Sequence, residues 1–228
     1  MDKKIVGIVG GLGPETTSEF YLDLIKKFRD DSDYYPSIVI NNVSFPFYLE
    51  KEIILNSQNE EKILPFILDS ISSLNDAGVD FIIIPCNTVH IFIKEFRSHS
   101  DVPVVNIIEE CIKEIKSKNL KKIGILATTK TIDSGMYQNE IENNNINFII
   151  PNSKNQNRIS KSIINILNGD KNYDDLHDII NNFIDNGCDS ILLGCTDLQL
   201  IISDKTYNIE VLDSMKILSN RTFEILKG

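Results

Sequence analysis

Two segments of the 228-residue chain repeat one pattern, and this repeat constrains the fold more than any other feature. Residues 74–88 read LNDAGVDFIIIPCNT, and residues 183–196 read FIDNGCDSILLGCT. In each copy a glycine ends a predicted helix, an apolar run follows, and a cysteine stands eight residues after the glycine. A second echo pairs residues 3–9 with residues 121–126. The repeat predicts two similar α/β units within one chain.

Short apolar runs alternate with amphipathic stretches along the whole chain. Several of these runs lack polar alternation, which is typical of parallel strands covered on both faces. The predicted strands are 5–9, 37–40, 81–84, 103–105, 121–126, 147–150, 190–193 and 209–212, and the predicted helices are 15–28, 60–76, 134–143, 159–167, 175–186 and 214–226. We therefore predict an α/β fold of two pseudo-symmetric Rossmann-like domains, each a mostly parallel sheet flanked by helices, with the active site in the interdomain cleft.

A polar stretch at 98–101 separates two of these apolar runs. We place a domain crossing there, and we expect the last helix to return and pack on the first half. The predicted first domain is 1–98 plus 208–228, and the predicted second domain is 99–207.

Composition excludes several function classes. The chain has 23 Lys and Arg against 33 Asp and Glu, a net charge of −10, which argues against binding nucleic acid or an anionic membrane. Apolar runs are too short for a membrane span, and the N-terminal run is too short for a signal peptide. We therefore expect a cytoplasmic protein whose cysteines are thiols.

Two of the four cysteines occupy the matched positions of the repeat. Cys86 and Cys195 each follow a predicted buried strand, at the sheet edge where parallel α/β folds bind ligands. Free cysteine is often only a small buried hydrophobe, but matched positions in both copies favour chemistry. Cys111 and Cys188 lack such a pairing and are interpreted as packing residues.

Two opposed thiols suit stereoinversion at a carbon acid. One thiolate removes a proton from a carbon atom while the opposite thiol delivers a proton to its other face, and no metal or cofactor is needed. A helix N-terminus after each strand is expected to lower the thiol pKa toward neutrality. The nearest groups that could stabilise a carbanion are the side chains of Asn87, Thr88 and Thr196.

Three motifs carry a family resemblance: GIVGGLGPE at 7–15, PCNTVH at 85–90 and GCTD at 194–197. Together they resemble the aspartate/glutamate racemase family, specifically its aspartate racemase branch. The resemblance implies a homodimeric isomerase that racemises an amino acid, aspartate or glutamate, without pyridoxal phosphate or another cofactor. It implies acid/base roles for Cys86 and Cys195. Substrate-binding roles are expected at Asn87, Thr88, Thr196, Thr128, Thr129, Arg158 and the backbone amides of the glycine loop around Gly11.

One departure from the family concerns the substrate side chain. Where aspartate racemases carry an Asp-Arg pair after the second strand, this chain has Phe47 and Tyr48. Arg158 resembles a basic residue that other members offer from the second domain, with Lys161 and Lys51 as weaker substitutes. An exposed surface position is the alternative for Arg158, Lys161 and Lys51. If none of these side chains reaches the cleft, we expect a neutral substrate or one otherwise different from aspartate.

The same residues also allow other interpretations. The glycine loop lacks the third glycine of a dinucleotide fingerprint, and the second strand ends without an acidic residue. His90 either adjusts the pKa of the Cys86 thiol or forms a hydrogen bond with the local backbone. Asp197 either orients the Cys195 thiol or the substrate ammonium, or interacts favourably with the helix dipole. The cysteine spacing is not that of a metal site.

Two further functions remain open. One is another thiol-dependent reaction of this fold, such as maleate isomerisation, hydantoin racemisation or arylmalonate decarboxylation. The other is non-catalytic binding of a small carboxylate between hinged domains.

Overall fold

The computed structural model describes residues 3–56, 58–170, 176–202 and 207–228. Their strands form two parallel sheets flanked by helices, as the sequence predicts. The strands are β1 (Ile5–Gly10), β2 (Ser37–Asn42), β3 (Phe81–Ile83), β4 (Lys122–Ala127), β5 (Asn147–Ile149), β6 (Ser190–Gly194) and β7 (Glu210–Asp213). The helices are α1 (Pro14–Asp31), α2 (Phe47–Asn56), α3 (Leu64–Asp76), α4 (Ile93–His99), α5 (Ile107–Ser117), α6 (Thr129–Asp133), α7 (Met136–Asn143), α8 (Ser153–Leu167), α9 (His177–Asp185) and α10 (Ser214–Lys227).

The two sheets share one strand order. The first sheet runs β2-β1-β3, and the second runs β5-β4-β6-β7. The counterpart of β7 in the first sheet is reduced to a single bridge between Ile82 and Val104. The predicted strand at 103–105 is therefore present only as two backbone hydrogen bonds of 2.9 Å around Ile82. The repeat seen in the sequence is thus a repeat of the whole sheet.

Strand β7 corrects part of the predicted domain assignment. The stretch 208–228 was assigned to the first domain, yet β7 pairs in parallel with β6 of the second sheet. The reason is that β6 offers an open edge to the strand that follows it. Helix α10 does contact α1 and β1 of the first half, and it also packs against α5. The remainder of the domain division stays a prediction.

One apolar core joins the two halves. It combines buried side chains of β1 and α1 with those of α5, β4, β6 and α10. Close packing in the second sheet requires a glycine, because a Cβ on Gly124 would lie 2.4 Å from the ring of Phe183. The two halves therefore pack against each other through a shared set of buried apolar side chains.

Several helices were not predicted. Helices α2, α4 and α5 lie where no helix was expected, and the predicted helix at 134–143 begins only after Gly135. Gly135 has φ +68°, a left-handed conformation that separates α6 from α7. The predicted helix start at Asp175 lies outside the described residues. In the described ranges, no helix is long and apolar enough to span a membrane.

Candidate active site

Cys86 lies in the loop between β3 and a 3₁₀ helix, Thr88–Phe92. Its side chain is partly buried. The backbone N–H groups of Thr88 and Val89 donate to its sulfur and favour the thiolate. This is the predicted strand-to-helix position, although the helix is a short 3₁₀ turn.

Cys195 follows β6 and is the N-cap of a 3₁₀ helix, Thr196–Leu200. Its thiol lies 3.6 Å from Oδ2 of Asp197 and donates to that carboxylate. The other carboxylate oxygen of Asp197 accepts a 2.9 Å hydrogen bond from the hydroxyl of Thr16, on the first turn of α1. Asp197 therefore links the second cysteine to the first half of the chain.

Both cysteines line a single pocket of about 60 Å³. They are close enough that charge on Cys86 raises the pKa of Cys195. The pocket is lined by Leu12, Gly13, Phe45, Glu50, Ile53, Ile54, Ile63, Cys86, Asn87, Thr88, Val89, Thr128, Cys195, Thr196 and Asp197. Since these residues come from both halves, the pocket lies in the cleft between the two sheets.

The thiol pKa values are raised, so the expectation of lowered values was wrong. Burial raises the pKa of Cys86 to about 12, and the carboxylates of Asp197 and Glu50 act in the same direction. Burial, followed by the charge of Asp197, also raises the pKa of Cys195 well above its ordinary value. Desolvation therefore outweighs the backbone donors at both sites.

A cluster of threonine hydroxyls joins the halves beside the pocket. The Oγ1 atom of Thr88 shares hydrogen bonds with Thr128 at 3.0 Å and Thr131 at 3.2 Å. Thr128 in turn donates to Thr131 over 2.9 Å. Thr88 and Thr128 line the pocket, as does Thr196, whereas Thr131 supports them from behind. Thr131 was not predicted, and its only signal in the sequence is its place three residues after Thr128.

Asn87 also reaches the pocket, and its side-chain amide is bonded at both ends. Its oxygen accepts a 2.5 Å hydrogen bond from the hydroxyl of Tyr137. Its nitrogen donates to the hydroxyl of Ser214 over 2.9 Å. All three residues are buried. The amide orientation is therefore set by α7 and α10, not by solvent.

Three predicted substrate-binding residues are not among those that line the pocket. Gly11 donates its N–H to Thr17, and its neighbours Leu12 and Gly13 reach the pocket instead. The hydroxyl of Thr129 shares a 2.9 Å hydrogen bond with Ser160 of α8.

Arg158 is the third of these residues. It forms an ion pair with Asp178, with Nη1 and Oδ2 separated by 2.6 Å. The ion pair joins α8 to the first turn of α9. Arg158 is not among the residues that line the pocket, and Lys51 and Lys161 have exposed side chains. A role for any of the three in substrate binding stays a prediction.

His90 adopts the structural alternative. Its Nδ1 lies 2.7 Å from the backbone oxygen of Cys86, and its Nε2 accepts a hydrogen bond from the N–H of Ile107. These two partners require a neutral ring with the proton on Nδ1. Burial lowers its pKa to about 4. His90 thus holds the loop that carries Cys86 through the backbone oxygen of that residue.

Helix α2 supplies pocket residues that were not predicted from the sequence. Phe47 and Tyr48, which replace the expected Asp-Arg pair, are 83% and 58% exposed. Glu50, Ile53 and Ile54 line the pocket in their place. The spacing of Leu49 and Ile53, both buried, was the available helical signal.

The pocket offers little to a metal ion. Within the ranges that the structure describes, no three His, Cys, Asp or Glu side chains are grouped to hold one.

Comparisons with known proteins identify the family of this chain. The family model described as Asp/Glu/Hydantoin racemase matches residues 9–222. This chain belongs to that family. The broad specificity amino-acid racemase RacX of Bacillus subtilis (strain 168) is 31% identical over 226 residues, which cover 96% of each chain.

Solved structures of the racemase family share the fold. The aspartate racemase of Picrophilus torridus is 30% identical with a TM-score of 0.82, covering 98% of this chain and 94% of that one. An aspartate racemase homologue from Pyrococcus horikoshii OT3 is 26% identical with a TM-score of 0.80, covering 99% and 100%. The predicted resemblance and the two-domain α/β fold are therefore confirmed, and this racemase-family chain is an isomerase.

Proposed function

We propose that this chain racemises amino acids by two-base general acid/base catalysis, with Cys86 and Cys195 as the two bases and no cofactor. The observation that carries this proposal is the placement of both thiols in one pocket, from matched positions of the two halves. A single pocket with one acid/base group from each half suits inversion of one carbon atom between them.

The proton balance is simple. One cysteine, as the thiolate, removes the Cα proton and becomes a thiol. The other cysteine, as the thiol, delivers its proton to the opposite face and becomes a thiolate. The product is the enantiomer, and the protonation states of Cys86 and Cys195 have been exchanged. The opposite reaction direction uses the same two groups in reversed roles.

The bound substrate assists the first step electrostatically. Negative charge on Asp197 contributes to the raised pKa of both thiols. A substrate α-ammonium near Asp197 would offset this charge and favour formation of a thiolate. The hydroxyls of Thr88, Thr128 and Thr196 supply hydrogen bonds for the α-carboxylate, whose charge grows as the Cα proton leaves.

The substrate range within this class is the next part of the proposal. Aspartate or glutamate was predicted from the family resemblance, and the relatives from Picrophilus and Pyrococcus carry the aspartate racemase name. The relative from Bacillus is named for broad specificity. Since the residues that line the described pocket include no Lys or Arg, we favour a broad range over strict selection of acidic side chains.

A racemisation assay in deuterated buffer tests this function. Each common L-amino acid is incubated with the enzyme without pyridoxal phosphate, and enantiomers are separated and weighed by mass spectrometry. We expect the D-product to carry one deuterium at Cα while remaining L-substrate stays largely protiated early in the reaction. A double variant, Cys86→Ser with Cys195→Ser, is the control.

Two outcomes would contradict the proposal. Deuterium in substrate and product at equal rates would indicate a single base. No conversion of any amino acid, combined with ligand-dependent increases in melting temperature, would favour the binding protein instead. Carbon dioxide release from an arylmalonate would favour the decarboxylase.

We also propose that the enzyme acts as a homodimer in the cytoplasm, as the resemblance implies. Light scattering coupled to size-exclusion chromatography tests the first part, and fractionation of cells tests the second.

A further inference from the structure

We propose that Thr16 is a positioning residue for the second acid/base group, because its hydroxyl fixes the carboxylate of Asp197 against the thiol of Cys195. This inference rests on the proposed racemase function and adds a residue to it. It starts from a hydrogen bond between the two halves, which joins side chains 181 positions apart in the sequence.

Thr16 bonds to the second half of the chain, while its neighbour bonds to its own loop. The hydroxyl of Thr17 donates to the backbone oxygen of Gly13 over 3.0 Å and accepts the N–H of Gly11 over 3.0 Å. The hydroxyl of Thr16, in the same first turn of α1, donates instead to Oδ1 of Asp197 over 2.9 Å. Thr17 therefore supports the glycine loop, and Thr16 supports the site of the second cysteine.

Asp197 is held through both oxygens of its carboxylate. Oδ1 accepts the hydrogen bond from Thr16, and Oδ2 lies 3.6 Å from the sulfur of Cys195. The terminal torsion of an aspartate side chain has a broad range when nothing restrains it. A donor on one oxygen therefore fixes the direction of the other, and that direction sets where the thiol proton of Cys195 points.

Burial strengthens this arrangement. Thr16 is 2% exposed and Asp197 is 8% exposed. A hydrogen bond to an ionised carboxylate is stronger than one between neutral groups, and exclusion of water strengthens it further. Burial raises the pKa of Asp197, whereas the hydrogen bonds from Thr16 and Cys195 lower it. Thr16 thus helps to maintain the charge that the proposed reaction needs beside the substrate ammonium.

A second contact between the same two elements provides a control. The side-chain nitrogen of Gln199, on the 3₁₀ helix that follows Cys195, donates to Oε2 of Glu19 over 3.2 Å. Glu19 lies about one turn beyond Thr16 on α1. This hydrogen bond also joins α1 to the 3₁₀ helix, but it involves neither Asp197 nor the thiol. Its loss should affect packing alone.

The proposed role is specific for one of the two cysteines. Racemisation cannot reveal this, because two enantiomers have equal free energies and kcat/KM must be equal in both directions. Elimination of chloride from β-chloroalanine is irreversible and needs only one base. The base removes the Cα proton, chloride leaves Cβ, and water hydrolyses the resulting aminoacrylate to pyruvate and ammonium. Each enantiomer presents its Cα proton to a different cysteine.

Single cysteine variants first assign the enantiomers. The enantiomer deprotonated by Cys195 is the one whose elimination is lost in Cys195→Ser and retained in Cys86→Ser. Thr16→Val keeps the shape of the side chain and removes the hydroxyl. It should slow elimination from that enantiomer about tenfold and leave the other within about threefold. Pyruvate release, coupled to lactate dehydrogenase, measures both rates.

Rescue by a conservative variant separates positioning from packing. We expect Thr16→Val to lower kcat for racemisation about tenfold with a smaller change in KM. Thr16→Ser restores a hydroxyl and should stay within about threefold of the unaltered enzyme. Gln199→Met, which removes the control hydrogen bond, should also stay within that range. Circular dichroism and melting temperature verify that each variant is folded.

The outcomes distinguish this inference from the racemase proposal. If the unaltered enzyme racemises amino acids and Thr16→Val retains its rate, or slows elimination from both enantiomers equally, the role of Thr16 is refuted and the racemase function stands. If β-chloroalanine is not turned over, equal losses in Thr16→Val and Thr16→Ser refute the role, and rescue by serine supports it. If the unaltered enzyme racemises no amino acid, the racemase function fails and the inference fails with it.

Discussion

The hydroxyl of Tyr137 donates a 2.5 Å hydrogen bond to the side-chain oxygen of Asn87, the residue that follows Cys86. Tyr137 belongs to α7 of the second half, and Asn87 belongs to the first. Asn87 also donates to Ser214, which in turn shares a hydrogen bond with Tyr137. This closed ring of buried polar groups ties the loop of one cysteine to the opposite half of the molecule.

Removing the Tyr137 hydroxyl should impair catalysis more than folding. In Tyr137→Phe the ring still fills its buried site, but the oxygen of Asn87 loses its donor and the Cys86 loop loses a fixed orientation. We expect kcat to fall about tenfold, equal to ~1.4 kcal/mol, with a smaller change in KM. Steady-state kinetics measures this, and Tyr21→Phe, partly exposed on α1, is the control. Equal losses in both variants would refute the positioning role.

Each pocket cysteine should be required for inversion. We expect Cys86→Ser and Cys195→Ser to lower kcat/KM for racemisation by about a thousandfold or more, because a serine hydroxyl is a far weaker acid than a thiol. Chiral chromatography measures the loss. Cys188→Ser, outside the pocket, should keep activity within a fewfold of the unaltered enzyme. If either pocket variant retained full activity, two-base catalysis would be excluded.

The pH dependence should follow the raised thiol pKa values. Burial raises the pKa of Cys86 to about 12 and that of Cys195 well above its ordinary value, so both are thiols in the free enzyme at neutral pH. The reaction needs one thiolate, whose population rises tenfold per pH unit below these pKa values. We therefore expect log kcat/KM to increase with a slope near +1 between about pH 6.5 and 8.5. A plateau or a maximum near pH 7 would show a thiolate already formed.

Replacement of Asp197 should make the protein more stable and less active. Burial raises its pKa in the folded protein, so this carboxyl favours folding below its unfolded pKa and opposes folding once it ionises as the pH rises. At pH 7, Asp197→Asn should therefore raise the melting temperature by about 2–4 °C, as expected for ~1 kcal/mol. It should also lower racemisation at least tenfold.

Calorimetry at two pH values checks the origin of this effect. The gain in melting temperature should shrink at pH 4, where more of the carboxyl is protonated. The pH profile of the variant should shift to lower pH, because the charge of Asp197 contributes to the raised pKa of Cys195. A variant that is less stable at pH 7 would show that the hydrogen bond from Thr16 outweighs the desolvation cost.

The parts of the fold that were predictable are those whose signal lies in residues close together in the sequence. Apolar runs such as Phe81–Ile83 carry a local signal, because a strand buried on both faces needs apolar residues at every position. The eight-residue spacing from Gly78 to Cys86 and from Gly187 to Cys195 likewise places each cysteine at the end of its strand. The sequence does not mark clearly where helices α2 and α5 begin and end, so neither helix was predicted. For the same reason Glu50, which lies on α2, was not predicted to line the pocket.

The repeated α/β units, the paired cysteine positions and the family could be recognised without a structure, because their signals are short motifs that recur along the chain. The pairing of Arg158 with Asp178, the position of Glu50 in the pocket wall and the raised thiol pKa values became known only from the folded chain. Each of these outcomes depends on which distant groups surround a side chain and how much water is excluded from it. No local pattern records that information.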